Sequence, residues 1–174
     1  MKIKYLGISG AIFLVSLLSY SVSRASAGSS MNERSDLQKI IELTNYDRGA
    51  STLPALKENS SLDLAAALKL DDMIANNYFA HVSPQGVSPW YFLKKSGYAY
   101  TAAGENLALN FSEPQTVEKA WMLSPEHRAN ILNSRFTEIG VAQKETIYNG
   151  QRTNFIVEFF GNPEEYPQTA SANN

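Results

Sequence analysis

The chain has 174 residues, with 15 Lys or Arg against 17 Asp or Glu for a formal charge of −2, and it has no cysteine. Lacking cysteine, it has no disulfide, thiol nucleophile, thiolate metal site or lipid-modified N-terminal Cys, so packing alone must hold an exported fold together. Three of the 15 basic residues (Lys2, Lys4 and Arg24) precede residue 28; the remainder carries 12 basic against 17 acidic residues, a formal −5, which argues against nucleic acid as a partner.

Lys2 and Lys4 stand before an apolar stretch from Ile8 to Val22, followed by the small residues Ala25-Ser26-Ala27. This pattern predicts a signal peptide over residues 1–27, cleaved after Ala27. The alternative is an uncleaved N-terminal membrane anchor, since the apolar stretch approaches the length that spans a bilayer. Both place the rest of the chain outside the cytoplasm, secreted or in the cell envelope. The organisation expected after it is a polar leader over 28–34, one domain over 35–161 and a disordered polar tail over 162–174.

In chain order, Leu37, Ile40, Ile41 and Thr44 recur at helical spacing and predict a helix from about Asp36 to Arg48, capped by Ser35 or Asp36. Gly49 to Ser60 reads as a loop. A second helix, capped by Ser60 or Ser61 and ending near Asn77, follows from Leu62, Ala65, Ala66, Lys69, Leu70, Met73 and Ile74. Ser88-Pro89 opens a short third helix that Gly97 stops. A loop through Gly104-Glu105-Asn106 leads to Ser112-Glu113-Pro114-Gln115, a capping-box pattern for a fourth helix reaching about Met122. Ser124-Pro125 opens a fifth, with Glu126 and His127 in its first turn. From Glu138 the period changes to two, and Asn149-Gly150 separates that strand from Phe155 to Phe160. Asn-Gly suits a type I′ hairpin, which pairs Tyr148 with Gln151, Val141 with Glu158 and Ile139 with Phe160.

His81 and His127 are the only histidines, and both lie in polar blocks at helix ends. Imidazole titrates near neutral pH and binds divalent ions as a neutral ligand. Two imidazoles and the Glu105 carboxylate, if folded together, would make a zinc-like site with a position left for water. Their separations, 24 and 22 residues, exceed compact metal-ligand spacings, so the pattern alone equally allows polar residues that cap helices and bond backbone. Ser124 invites a nucleophile reading with His127 as base and Glu105 as orienter. Its place before Pro125 instead predicts a capping hydroxyl, and no Gly-x-Ser-x-Gly elbow is present. Tyr78, Phe79, Trp90, Tyr91, Tyr98, Tyr100 and Trp121 cluster between these blocks, most of them expected in the core.

Ala80-His81, Ala103-Gly104-Glu105-Asn106-Leu107-Ala108, the run from Trp121-Met122 through Ser124-Pro125 and His127-Arg128-Ala129-Asn130-Ile131-Leu132, and Phe136 with Ile139-Gly140-Val141 together resemble the bacterial branch of the CAP superfamily, also called the SCP domain. Asn45-x-x-Arg48 belongs to the same ordered match, which covers about Leu37 to Gly161. The resemblance implies an α+β fold, a three-layer α-β-α sandwich around a small antiparallel sheet, with an open cleft lined by two histidines and two acids. His81, Glu105 and His127 match three of those positions. The fourth, an acid three residues after the Trp, is Ser124 here, with Glu126 as a neighbouring substitute. The implied function is an extracellular binding module whose cleft (His81, Glu105, His127, Glu126 and Ser124) takes a lipid, envelope or protein ligand and a divalent metal, zinc, on His81 and His127. The alternatives are a metal-dependent hydrolase of peptidase type with Glu105 as general base, and a purely structural interaction domain.

Overall fold

The computed structural model describes residues 34–164. The expected signal peptide or anchor, the leader except Arg34, and residues 165–174 of the expected tail lie outside them. The chain divides into a unit up to Ser35 and a unit from Asp36 onward. The second holds every described element apart from the first two residues of a helix over 34–50, here α1. Among the described residues, no helix is long and apolar enough to cross a membrane.

The remaining elements are β1 (Lys57–Glu58), α2 (Ser60–Ala75), α3 (Trp90–Lys95), β2 (Tyr100–Leu109), α4 (Pro114–Leu123), α5 (Pro125–Ile131), β3 (Glu138–Tyr148) and β4 (Gln151–Pro163). The strands form one sheet in the order β1-β3-β4-β2. The hairpin has the expected register, with Tyr148 opposite Gln151, Val141 opposite Glu158 and Ile139 opposite Phe160. Asn149 (φ 50°) and Gly150 (φ 78°) both take the positive φ that this turn requires.

Alternation along β4 divides the apolar residues between two faces. Phe155, Val157 and Phe159 pack with Leu62, Ala66, Leu70 and Met73 of α2 and with Phe92 and Leu93 of α3. Ile156 and Phe160 pack with Ile40 and Ile41 of α1, Val117 and Trp121 of α4 and Ile131 of α5. The result is three layers, helices on both faces of the sheet. A Cβ on Gly140 would collide with the backbone of Leu62 and Asp63, so glycine there lets α2 lie directly on β3. Arg48, 1% exposed, ties α1 to the end of α5 by donating to the carbonyls of Pro54 (3.0 Å), Ile131 (2.8 Å), Asn133 (2.9 Å) and Phe136 (3.3 Å).

Several expectations are corrected. Gly104-Glu105-Asn106 lies in strand β2 rather than in a loop, because all eight residues from Ala102 to Leu109 find partners on β4, and that pairing overrides the weak strand tendency of Gly, Glu and Asn. The sheet is mixed rather than wholly antiparallel, since β1, within the expected loop, runs parallel to β3. Asn59, not Ser60 or Ser61, caps α2, its Oδ1 accepting from the Ser61 N–H at 2.8 Å. The Ser112–Gln115 capping box does not form: Glu113 is the N-cap and Pro114 the first helical residue of α4, with no side-chain cap bond. Strand β4 continues through Asn162 and Pro163, so these two residues belong to the sheet and not to the expected tail.

On the α1/α4 face the sheet carries two acids in an apolar layer. Thr44 Oγ1 lies 3.1 Å from Glu118 Oε2 and 3.0 Å from Glu158 Oε1, and all three residues are buried. One hydroxyl hydrogen can be donated to one carboxylate only, so the other contact requires a proton on a carboxyl. Burial raises both carboxyls above the ordinary range; for Glu118 the Glu158 charge adds to this, and Asp47 is a further acid against it. An acid with a raised folded pKa keeps a proton that the unfolded chain has released. The stability it contributes is complete below the unfolded value of 4.5 and is lost as pH rises toward the folded one. Urea unfolding should therefore show stability lower by about 1–3 kcal/mol at about pH 8 than at about pH 5. Glu118→Gln/Glu158→Gln should flatten that slope, and an unchanged slope would contradict the retained carboxyl proton.

Candidate functional site

Strand β2 lies at the edge of the sheet, and alternation sends its neighbouring polar residues to opposite faces. Glu105 shares the face of Leu107, toward α2 and α3; Asn106 shares that of Ala108, toward α4 and α5. Gly104 lets α5 approach, since a Cβ there would stand 2.9 Å from Phe136 Cζ and 3.0 Å from Asn130 Oδ1. Side chains from both helical layers therefore reach the same stretch of edge strand.

From one layer comes His81. Its Nδ1 lies 2.5 Å from Glu105 Oε1, with the imidazole side chain 56% exposed and the carboxylate side chain 2% exposed. The loop that carries His81 is held from beneath by Lys69, whose buried ammonium donates to the carbonyls of Ala80 (2.9 Å) and His81 (2.8 Å) and to Tyr78 Oη (3.1 Å). The same ammonium stands 4.9 Å from the Tyr78 ring centroid and 5.4 Å from that of Phe92. Tyr78 Oη in turn donates to Asp72 Oδ2.

From the other layer comes His127. Asn130 of the same helix donates to the Glu105 carbonyl (3.0 Å) and to Asn106 Oδ1 (2.9 Å), binding α5 to the β2 edge. Asn106 Nδ2 donates to Glu158 Oε2 (3.1 Å) and lies 3.4 Å from the His127 carbonyl. His127 Nδ1 shares a hydrogen bond with Ser124 Oγ at 2.8 Å. Ser124 occupies the N-cap position of α5 by backbone, yet its side chain makes no cap bond, so the expected capping hydroxyl is corrected to a histidine partner. Glu126 is exposed in the first turn of α5, where its charge favours the helix dipole.

The electrostatics separate the two imidazoles. The hydrogen bond to Glu105 raises the pKa of His81 above 6.5, against burial and the charge of Lys69. Burial lowers that of His127, and the positive charge of His81 lowers it further, which puts both rings in one electrostatic neighbourhood. Burial pushes Glu105 up while His81 and Lys69 pull it down. Its Oε2 is buried and accepts no hydrogen bond among the described residues. Each ring thus has Nδ1 occupied and Nε2 left for a ligand. No three described His, Asp or Glu side chains are grouped to hold one metal ion.

Lys69 and Asn130, which do the positioning, were not singled out from sequence as site residues. The signal for Lys69 was a cation on the apolar stripe of α2; Asn130 carried none beyond its place after His127. Lys69→Met should cost about 3–5 kcal/mol in urea unfolding, because it removes three buried hydrogen bonds and leaves the Glu105 carboxylate with His81 as its remaining compensation. In a Glu105→Gln background the loss should shrink by about 1 kcal/mol or more. Strictly additive losses would contradict the coupling.

The profile of the Cysteine-rich secretory protein family (CAP) matches residues 41–159. Bacillus subtilis YkwD is 44% identical over 109 residues, covering 63% of this chain and 42% of its own. The Bacillus subtilis membrane protein YlbC is 33% identical over 119 residues, 68% of this chain and 34% of its own. The chain thus spans less than half the length of these two relatives. Among solved structures, an extracellular SCP-domain protein of Bacillus anthracis is similar with a TM-score of 0.65 and 32% identity over 74% of this chain and 41% of that one. An outer surface protein of Borrelia burgdorferi shares the fold, with a TM-score of 0.65 at 21% identity over 75% of this chain and 94% of that one. With the profile matching well over half the chain, and with three helix-flanked layers around an edge strand that carries Glu105, this chain belongs to the bacterial branch of the CAP superfamily.

Proposed function

We propose that the chain is an exported binding module whose edge-strand cleft, formed by His81, Glu105 and His127, takes an extracellular ligand of the envelope or lipid class together with a divalent cation, zinc first. Export is supported by the described extracellular nature of the Bacillus anthracis protein that it resembles and by the signal-like residues 1–27. The observation that carries the reading is Glu105: a carboxylate buried beside a half-exposed imidazole, one oxygen bonded and the other without a partner among the described residues. Such a group in a native fold calls for a ligand, an ion or a water.

The donor chemistry suits zinc in kind. A carboxylate on Nδ1 orients an imidazole so that Nε2 faces the metal and becomes more basic, which is the relation of Glu105 to His81. It falls short in number, with two imidazoles and, among the described residues, no third ligand in the same group. Zinc held there by His81 and His127 would supply a positive charge for an anionic or carbonyl oxygen of the ligand. Glu105 orients His81 and neutralises its charge. His127 presents the second nitrogen.

The geometry favours hydrolysis less. Glu105 is tied to His81 and enclosed, so it offers no exposed oxygen to an attacking water. A Ser-His-acid triad needs the acid on Nδ1 and the serine on Nε2. Here Ser124 occupies Nδ1 of His127, and the acid bonds the other histidine.

Calorimetric zinc titration tests the reading. The purified protein should give saturable heat that weakens as pH falls through the imidazole range. His81→Ala and His127→Ala should each remove most of it. Heats equal in all three proteins, or an affinity that does not change between neutral and acidic pH, would overturn the cation site.

A further inference from the structure

We infer that a second binding site lies in the open groove between α3 and the start of β2, and that its ligand is an acidic oligosaccharide. The groove has a volume of about 610 Å³, within the range of small-molecule sites. Its wall consists of the aromatic residues Trp90, Tyr91, Tyr98 and Tyr100, the cation of Lys94, and otherwise only small residues. None of these takes part in the His81, Glu105 and His127 cleft.

Three features select the ligand class. Trp90 is 39% exposed and Tyr91 51% exposed, an unusual display of flat apolar surface beside buried Phe92 and Leu93. Trp90 is held in place by Tyr100, with ring centroids 6.2 Å apart. The wall has no Leu, Ile, Val, Met or Phe, the side chains that line acyl-chain and helix-docking grooves. Flat ring faces carry negative quadrupole density, which attracts the C–H face of a pyranose, while the Tyr91 and Tyr100 hydroxyls and an ammonium serve the sugar's polar rim; Tyr98, buried and bonded to Glu138, forms the floor. The charge then selects among sugars: Lys94 lines the groove, Lys95 stands 5.9 Å from the Tyr91 ring centroid, and no Asp or Glu is part of the wall. In a chain with an acidic excess, this is a local positive site that suits a carboxylate or phosphate substituent.

The test is a titration of the ¹⁵N-labelled protein with tetragalacturonate and, as the neutral counterpart, maltotetraose, followed by amide shifts and calorimetry. Saturable shifts should gather on residues 88–100, with the acidic sugar bound more tightly. Lys94→Gln should weaken the acidic sugar roughly tenfold, bringing it close to the neutral one. Trp90→Ala should abolish binding of both, and Tyr91→Ala, at a more exposed ring, repeats that test independently of any effect of Trp90 on folding. His81→Ala should leave these affinities unchanged, so failure of the histidine cleft and failure of the groove are read separately. No saturable shift with either sugar, shifts gathered around His81 and His127, or an acidic-sugar affinity indifferent to Lys94→Gln would each overturn the proposal.

Discussion

A carboxylate enclosed to within a few per cent of its surface is costly unless something positive and something hydrogen-bonded accompany it, and the candidate site is arranged around that demand at Glu105. His81 supplies the hydrogen bond, and Lys69 supplies charge from inside the α2 layer. Because the ammonium also holds the carbonyls of residues 80 and 81, the group that compensates the carboxylate is the group that places the imidazole. Electrostatics and loop geometry are therefore one problem with one solution. The Oε2 atom accepts no hydrogen bond among the described residues.

The edge position of β2 explains how a second histidine from the opposite layer joins. A central strand would keep Glu105 and Asn106 in separate compartments, each sealed by helices. At the edge, Asn130 reaches the Glu105 carbonyl and Asn106 side chain together, and it also covers an open strand edge that would otherwise invite pairing with another chain. Arg48 then fixes the far end of α5 by bonding the Ile131 carbonyl. Thr44, set between Glu118 and Glu158, supports the same strand through Glu158, which accepts from Asn106. Four of the buried polar groups, Lys69, Glu105, Asn106 and Glu158, thus act together at or beside β2.

Much of this was legible in residues. The Asn149-Gly150 turn set the register of β3 and β4, and the same register put Glu158 opposite Val141, an acid in an apolar run whose partners only tertiary structure reveals. The three-residue set His81, Glu105 and His127 stood out because histidine is scarce here. Strand β2 was hidden, since Gly104, Glu105 and Asn106 break the apolar alternation that marks a strand, and pairing to β4 supplies what local preference does not. Two helix caps fall on a residue adjacent to the expected one: Asn59 rather than Ser60 or Ser61, and Glu113 rather than Ser112. Ser124 was placed correctly in the backbone and wrongly in its bonding, because a histidine one turn on competes for its hydroxyl. Of the clustered aromatics, Tyr78, Tyr98 and Trp121 are core as expected, whereas Trp90 and Tyr91 are not.

The central claim, that Glu105 raises the His81 imidazole while burial lowers that of His127, is tested most directly by NMR titration of the two histidine rings in the metal-free protein. His81 should titrate above the free value of about 6.5 and His127 below it, with Glu105→Gln lowering His81 and drawing the two curves together. The reverse order, or two curves at the free value that Glu105→Gln leaves unmoved, would contradict the account.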